Sequence, residues 1–123
     1  MEEKDLYPRL RLKVVMGPGL WIGPGKADLL EGIAATGSIS AAGRRMGMSY
    51  KRAWGLVEVL NAMFDAPLVA ASRGGAERGG AALTARGAEV LALYRRAEAA
   101  SRAASAAEIG GLAALRRDMS DEK

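Results

Sequence analysis

The chain has 123 residues, of which half are apolar and 26% charged, and its formal net charge is +4. That is enough for one modest domain, and a basic balance of this size suits a polyanionic partner without requiring one. There is no Cys and no His, which removes disulfides, thiolate metal sites, the commonest metal ligand and the commonest general base. The opening MEEKDLYPRLRLK is too charged for a signal peptide, and no apolar run approaches the ~20 residues that span a bilayer. A cytoplasmic protein with no membrane partner is expected.

Residues 1–8 read as a flexible lead. From Arg9 to Met16 the sequence alternates, with Leu10, Leu12, Val14 and Met16 on one side and Arg9, Arg11 and Lys13 on the other, the period of a half-buried strand. Gly17-Pro18-Gly19 is a turn, Leu20-Trp21-Ile22 a second short strand, and Gly23-Pro24-Gly25 its end; together these predict a β-hairpin. Trp21 is expected in the core or at a dimer interface. Lys26–Thr36 follows as a helix, with an apolar stripe of Ala27, Leu29, Leu30, Ile33 and Ala34, and Gly37 is placed to end it in the left-handed conformation. Ser38 or Ser40 can cap a short helix over 41–46. Its Ala41, Ala42 and Gly43 would let a neighbour approach closely, and Gly47 permits a tight turn.

Ser49 is a good cap for a third helix over 50–64. Tyr50, Ala53, Trp54, Val57, Leu60 and Phe64 form its apolar stripe, so Trp54 is expected in the core, with Lys51, Arg52, Gly55 and Glu58 off the stripe. Ala66-Pro67 stops it. Strand-like Leu68–Ser72, the basic glycine-rich RGGAERGG of 73–80, and Ala81–Leu83 make a β-ribbon, or wing. Thr84 can cap a long alanine-rich helix from 85 to about 106, with Gly87, Val90, Leu91, Tyr94, Ala97, Ser101 and Ala104 along one side. Gly110-Gly111 is expected to break it. The domain proper is thus 9–106, and 107–123 is a short helical or frayed tail whose charged end, MSDEK, reads as a natural terminus.

GPGLWIGPGK, residues 17–26, has the look of a phosphate loop but fails the pattern. Leu20 stands where glycine is needed, and Ala27 follows Lys26 in place of Ser or Thr. The acidic residues are scattered, so hydrolase chemistry has little support. Arg95, Arg96, Arg102, Arg116 and Arg117 alternate with acids and read as a solvated helix surface. No enzyme and no cofactor are expected.

The stretch GSISAAGRRMGMSYKRAW, 37–54, carries the function. Two short helices meet at a glycine turn, the second is basic at its start, and a basic ribbon follows. This is the layout of a winged helix-turn-helix, whose second helix enters the DNA major groove N-terminus first; the alternative is a plain helical hairpin. Ser49, Tyr50, Lys51, Arg52 and Gly55 are the candidates for the groove. Arg can pair bidentately with guanine, and a glycine lets the helix lie close to DNA. Ser38, Ser40, Arg44 and Arg45 belong to the preceding turn and helix, which crosses the phosphate backbone in this architecture. Arg73 and Arg78 in the wing suit backbone or minor-groove contact.

Gly37-Ser38-Ile39-Ser40, Gly47-Met48-Ser49-Tyr50-Lys51, Ala53-Trp54, Asn61, the glycine-rich wing closing in Ala82-Leu83-Thr84, then Gly87 and Tyr94, resemble the N-terminal domain of the molybdenum-dependent transcriptional regulator ModE family, related to LysR-type regulators. The likeness runs from about Leu29 to Tyr94. It implies a mainly helical α+β fold, a winged helix-turn-helix with an N-terminal β-hairpin and a long C-terminal helix. It also implies a homodimer formed through the hairpin, first helix and last helix, and a double-stranded DNA operator. The family's molybdate-binding Mop domains have no counterpart in these 123 residues, so its effector site does not carry over and no small-molecule effector is visible in this chain. The leading expectation is a sequence-specific, DNA-binding transcriptional regulator. The alternatives are a dimeric protein-interaction adaptor and a direct oxyanion sensor taking molybdate at helix N-termini.

Overall fold

The computed structural model of the chain describes residues 6–72 and 80–117. Most of the expected flexible lead, residues 73–79 with Arg73 and Arg78, and the charged end 118–123 lie outside the described residues. The observed order is β1 (Val14–Gly17), β2 (Leu20–Ile22), α1 (Pro24–Thr36), α2 (Ile39–Arg45), α3 (Tyr50–Met63), β3 (Val69–Ala71), β4 (Ala81–Leu83), α4 (Ala85–Ala104) and α5 (Ala106–Leu115). It is a mainly helical α+β winged helix-turn-helix.

β1 and β2 form the expected antiparallel hairpin, pairing Val14 with Ile22, Val15 with Trp21 and Gly17 with Leu20. Pro18 followed by Gly19 at φ 73° is the pairing of a type II turn. The strand is shorter than the alternation from Arg9 suggested. Leu10, Leu12 and Val14 are still half-buried and Arg9, Arg11 and Lys13 exposed. The irregularity between Val15 and Gly17 breaks the phase, and Met16 faces solvent instead of the core.

α1 begins at Pro24, two residues before the expected start, because proline fits the first helical position where no N–H is needed. Leu29, Leu30 and Ile33 are fully buried, while Ala34 lies beyond the buried arc and is exposed. Gly37 ends the helix at φ 72°, its N–H donating to the Ile33 carbonyl. Ser38, not Ser40, caps α2, which therefore starts at Ile39 in place of 41; its Oγ accepts from Ala41 N–H at 3.0 Å. Gly47, at φ 71°, turns the chain into α3, where Ser49 Oγ accepts from Arg52 N–H at 3.1 Å. The three helices cross at small residues: a Cβ on Gly32 would stand 3.0 Å from that of Ala42.

The wing strands pair Val69 with Leu83, Ala70 with Ala82 and Ala71 with Ala81. Gly80 bridges to Ser38, and Ala81 N–H donates to the Gly37 carbonyl, so the wing is stitched to the turn between α1 and α2. Thr84 Oγ1 caps α4 through Gly87 N–H at 2.9 Å. Gly87 itself passes over the β3 entrance, where a Cβ would fall 2.1 Å from the Leu68 carbonyl oxygen. Far along α4, Tyr94 is buried and its hydroxyl donates to the Leu12 carbonyl at 2.7 Å, closing the hairpin onto the last long helix.

The last helix does not break at Gly110-Gly111, which both lie inside α5. The interruption comes at Ser105, whose hydroxyl and N–H both go to the Ser101 carbonyl, the local competition with helix bonding that serine offers. The alanines around the two glycines outweigh their propensity cost of about 1 kcal/mol each. Among the described residues no helix is long and apolar enough to cross a membrane.

Candidate nucleic-acid interface

α3 presents three sides. Ala53, Val57 and Leu60 are buried against α1 and α2. At about 100° of turn per residue, Lys51 and Gly55 point away from them, and both Lys51 and Arg52 are exposed. The Ser49 cap holds the first turn of α3 open, and its hydroxyl, accepting from Arg52 N–H, keeps its own proton free to donate. The backbone N–H groups of that turn add partial positive charge beside Lys51 and Arg52. Of the expected set, Lys51 and Gly55 share one side of the first two turns of the helix, Tyr50 and Arg52 fall to either side of it, and Ser49 stands at its N-terminus.

Gly55 has no reason to be glycine inside this chain. It sits in the interior of a helix, and a Cβ built on it would meet nothing within 4 Å. A helix-interior glycine costs about 1 kcal/mol relative to alanine.

The α2 candidates divide. Arg44 Nη1 donates to Ser40 Oγ at 2.7 Å, so exposed Arg44 and half-buried Ser40 act together. Arg45, the next residue round the helix, opens onto a hollow it shares with Asp28 and Glu31 of α1. Ser38 is spent on capping α2 and on pairing with Gly80 at the base of the wing. Arg73 and Arg78 lie outside the described residues.

Trp54 overturns its expectation. It is 44% exposed, and Tyr50, one turn earlier, is 56% exposed. The two rings stack with centroids 6.3 Å apart and planes 15° from parallel. They line a cleft of about 400 Å³ between α3 and the wing, walled on the other side by Val69 to Ser72. The core closes at Ala53 and Val57, and the stripe's wing-side edge is left in the open.

Sequence reasoning also missed Asn61 as the hinge pin of the wing. Its Oδ1 accepts from Leu68 N–H at 2.8 Å and Val69 N–H at 3.0 Å, and its Nδ2 donates to the Val69 carbonyl at 3.1 Å. A polar residue on the wing-facing edge of an apolar stripe was the available signal.

Two further charged groups, Lys26 and Arg95, serve structure, while Arg96, Arg102, Arg116 and Arg117 are exposed as expected. Lys26, the residue that made 17–26 look like a phosphate loop, is 5% exposed. Its ammonium lies 3.5 Å from the Trp21 ring centroid and donates to the Trp21 carbonyl at 3.0 Å, while Lys13 approaches the same ring at 4.4 Å. Burial, then the Lys13 charge, pulls the Lys26 pKa below its ordinary value. Trp21 is accordingly half-buried between two cations. Arg95 is no solvated surface residue: it gathers Asp28, Glu31 and Glu98 at 2.8–3.0 Å and ties α4 to α1. Burial works against its charge, and the bonds to Asp28, Glu98 and Glu31 outweigh that and raise its pKa. Among the described residues no three acidic groups are arranged to hold a metal ion.

Residues 26–88 match the family model described as bacterial regulatory helix-turn-helix protein, lysR family. The chain is 46% identical over 81 residues to the molybdenum-pterin-binding protein MopB of Rhodobacter capsulatus, covering 66% of this chain and 30% of that protein. It is 38% identical over 114 residues to MopA of the same organism, covering 93% and 42%. Against the DNA-binding transcriptional dual regulator ModE of Escherichia coli K12 it is 39% identical over 75 residues, covering 61% and 29%. The likeness to ModE read from the SYK-x-AW and wing motifs thus extends over 61% of this chain, and the chain spans less than half the length of each of these relatives.

Proposed function

We propose, starting from the fact that this chain belongs to the lysR family of bacterial regulatory helix-turn-helix proteins, that it binds duplex DNA sequence-specifically and regulates transcription. The observation that carries this is Gly55. The chain accepts an interior helix glycine with open space around it, on the same exposed side as Lys51, at the place where a recognition helix must lie close to base edges. Lys51 and Arg52 supply base or phosphate contacts, the Ser40–Arg44 pair meets the backbone, and Arg73 and Arg78 extend the contact through the wing. The reading is that of a DNA-binding protein and not an enzyme, acting in the cytoplasm. The names of its relatives, which speak of molybdenum-pterin binding, molybdenum transport and ModE, support placing the regulated genes in molybdenum handling.

The protein acts as a homodimer in this reading. Val15, Met16 and Leu93 are 63%, 48% and 53% exposed. Met16 and Leu93 flank an apolar groove with Val14, Ile22, Phe64, Val90 and Tyr94. Apolar surface of this kind on the hairpin and α4 is what a two-fold partner covers. Two recognition helices would then meet a pseudo-palindrome about one DNA turn apart.

Selection of binding sites from a random duplex pool at near-physiological salt tests the reading. A recovered consensus with two half-sites about one helical turn apart supports it, and Arg52→Ala should change that consensus. A pool that stays random through successive rounds rejects it.

A further inference from the structure

The exposed pair Tyr50–Trp54 has no partner that the core explains. Trp54, 44% exposed, beside Tyr50, 56% exposed, puts aromatic surface on the N-terminal end of α3, and it lies to one side of the Lys51–Gly55 line, toward the wing. Arg52 falls on the opposite side of that line. The cleft above the pair is lined by Val69, Ala70 and Ala71, with Asn61 and Ser72 as its polar members, and among the described residues its lining has no Lys or Arg. Among the described residues the cations at this end of α3 are Lys51 and Arg52, and both stand outside that lining. The apolar group that a DNA major groove displays is the thymine 5-methyl.

We infer that Tyr50 and Trp54 form a specificity-determining surface that selects thymine by seating its 5-methyl on the stacked rings. The inference rests on the reading of α3 as the element that enters the major groove, and it assigns one further task within it. Lys51 and Arg52 answer hydrogen-bonding edges and phosphates, and the aromatic side answers a methyl. Trp54, expected in the core, becomes a reader of DNA.

The experiment uses the whole chain and the duplex recovered by selection. Each thymine of the site is replaced in turn by deoxyuridine, which removes the methyl and leaves every hydrogen-bonding group in place. At one or two thymines per half-site the wild type should lose binding roughly three- to tenfold, and Trp54→Ala should bind the thymine and uracil duplexes alike. Circular dichroism of Trp54→Ala should match the wild type, since the side chain is outside the core. If a wild type that still selects a sequence binds every uracil duplex within about twofold of the parent, the inference is overturned and the DNA reading stands. Retained thymine discrimination in both Trp54→Ala and Tyr50→Ala overturns it as well. A pool that yields no sequence removes the DNA reading, and this inference with it.

Discussion

A Cβ added to Gly43 would stand 2.9 Å from the Cβ of Ala53. At that separation the α2 backbone rests on the Ala53 methyl of α3 with no room for a side chain between them, and this contact sets how far α3 projects from the body. Gly43→Ala forces the helices apart. Overpacking costs about 1–3 kcal/mol, against a propensity gain of up to about 1 kcal/mol, so the net is a loss. A lower urea midpoint and weaker DNA binding are expected together.

The same substitution at Gly55 should have the opposite sign on stability. Nothing stands within 4 Å of the added methyl, so Gly55→Ala gains about 0.5–1 kcal/mol by propensity. Binding to DNA should fall in the same preparation, because the methyl occupies the approach to the groove. Stability raised with affinity unchanged would show that α3 does not approach DNA at this residue.

Removing Asn61 should loosen the wing. Asn61→Ala leaves the Leu68 and Val69 N–H groups without their acceptor, at about 1–3 kcal/mol. Hydrogen exchange at Leu68 and Val69 should accelerate before exchange in α1 does.

The Tyr94 hydroxyl bonded to the Leu12 carbonyl makes stability depend on alkaline pH. Burial first, then the Glu98 charge, raises its pKa above the ordinary 10.0. A folded pKa above the unfolded one means the folded state holds the proton more tightly. The contribution is therefore complete below pH 10 and is lost as pH rises through the folded pKa. Tyr94→Phe should cost about 0.5–1.5 kcal/mol at neutral pH and flatten that alkaline loss. Denaturant titrations at pH 8 to 11 measure both.

Local chemistry was legible in the sequence. Ser49 and Thr84 cap the helices they precede, and Gly37 and Gly47 take the left-handed turns, because caps and turns depend on a few adjacent residues. The basic start of α3 was legible for the same reason. What escaped depends on where distant elements stop. Periodicity put Trp54 on the apolar stripe of α3, but whether that edge is covered is decided by how far α1 and the wing reach. Lys26 is buried because the hairpin folds Trp21 back over it, and Asp28 and Glu31 reach Arg95 because α4 lies along α1. Gly110 and Gly111 looked like a stop because each disfavours helix, while the interruption fell at Ser105, where a hydroxyl competes for a carbonyl.

The most direct test of α3 as a reader of DNA is an anisotropy titration of two duplexes of equal length and composition, one selected and one permuted, across a salt series. A preference for the selected duplex on the order of a thousandfold near physiological salt is expected. Both affinities should fall steeply as salt rises, because neutralised phosphates release counterions. Equal binding of the two duplexes, or binding that salt leaves unchanged, would contradict that role of α3.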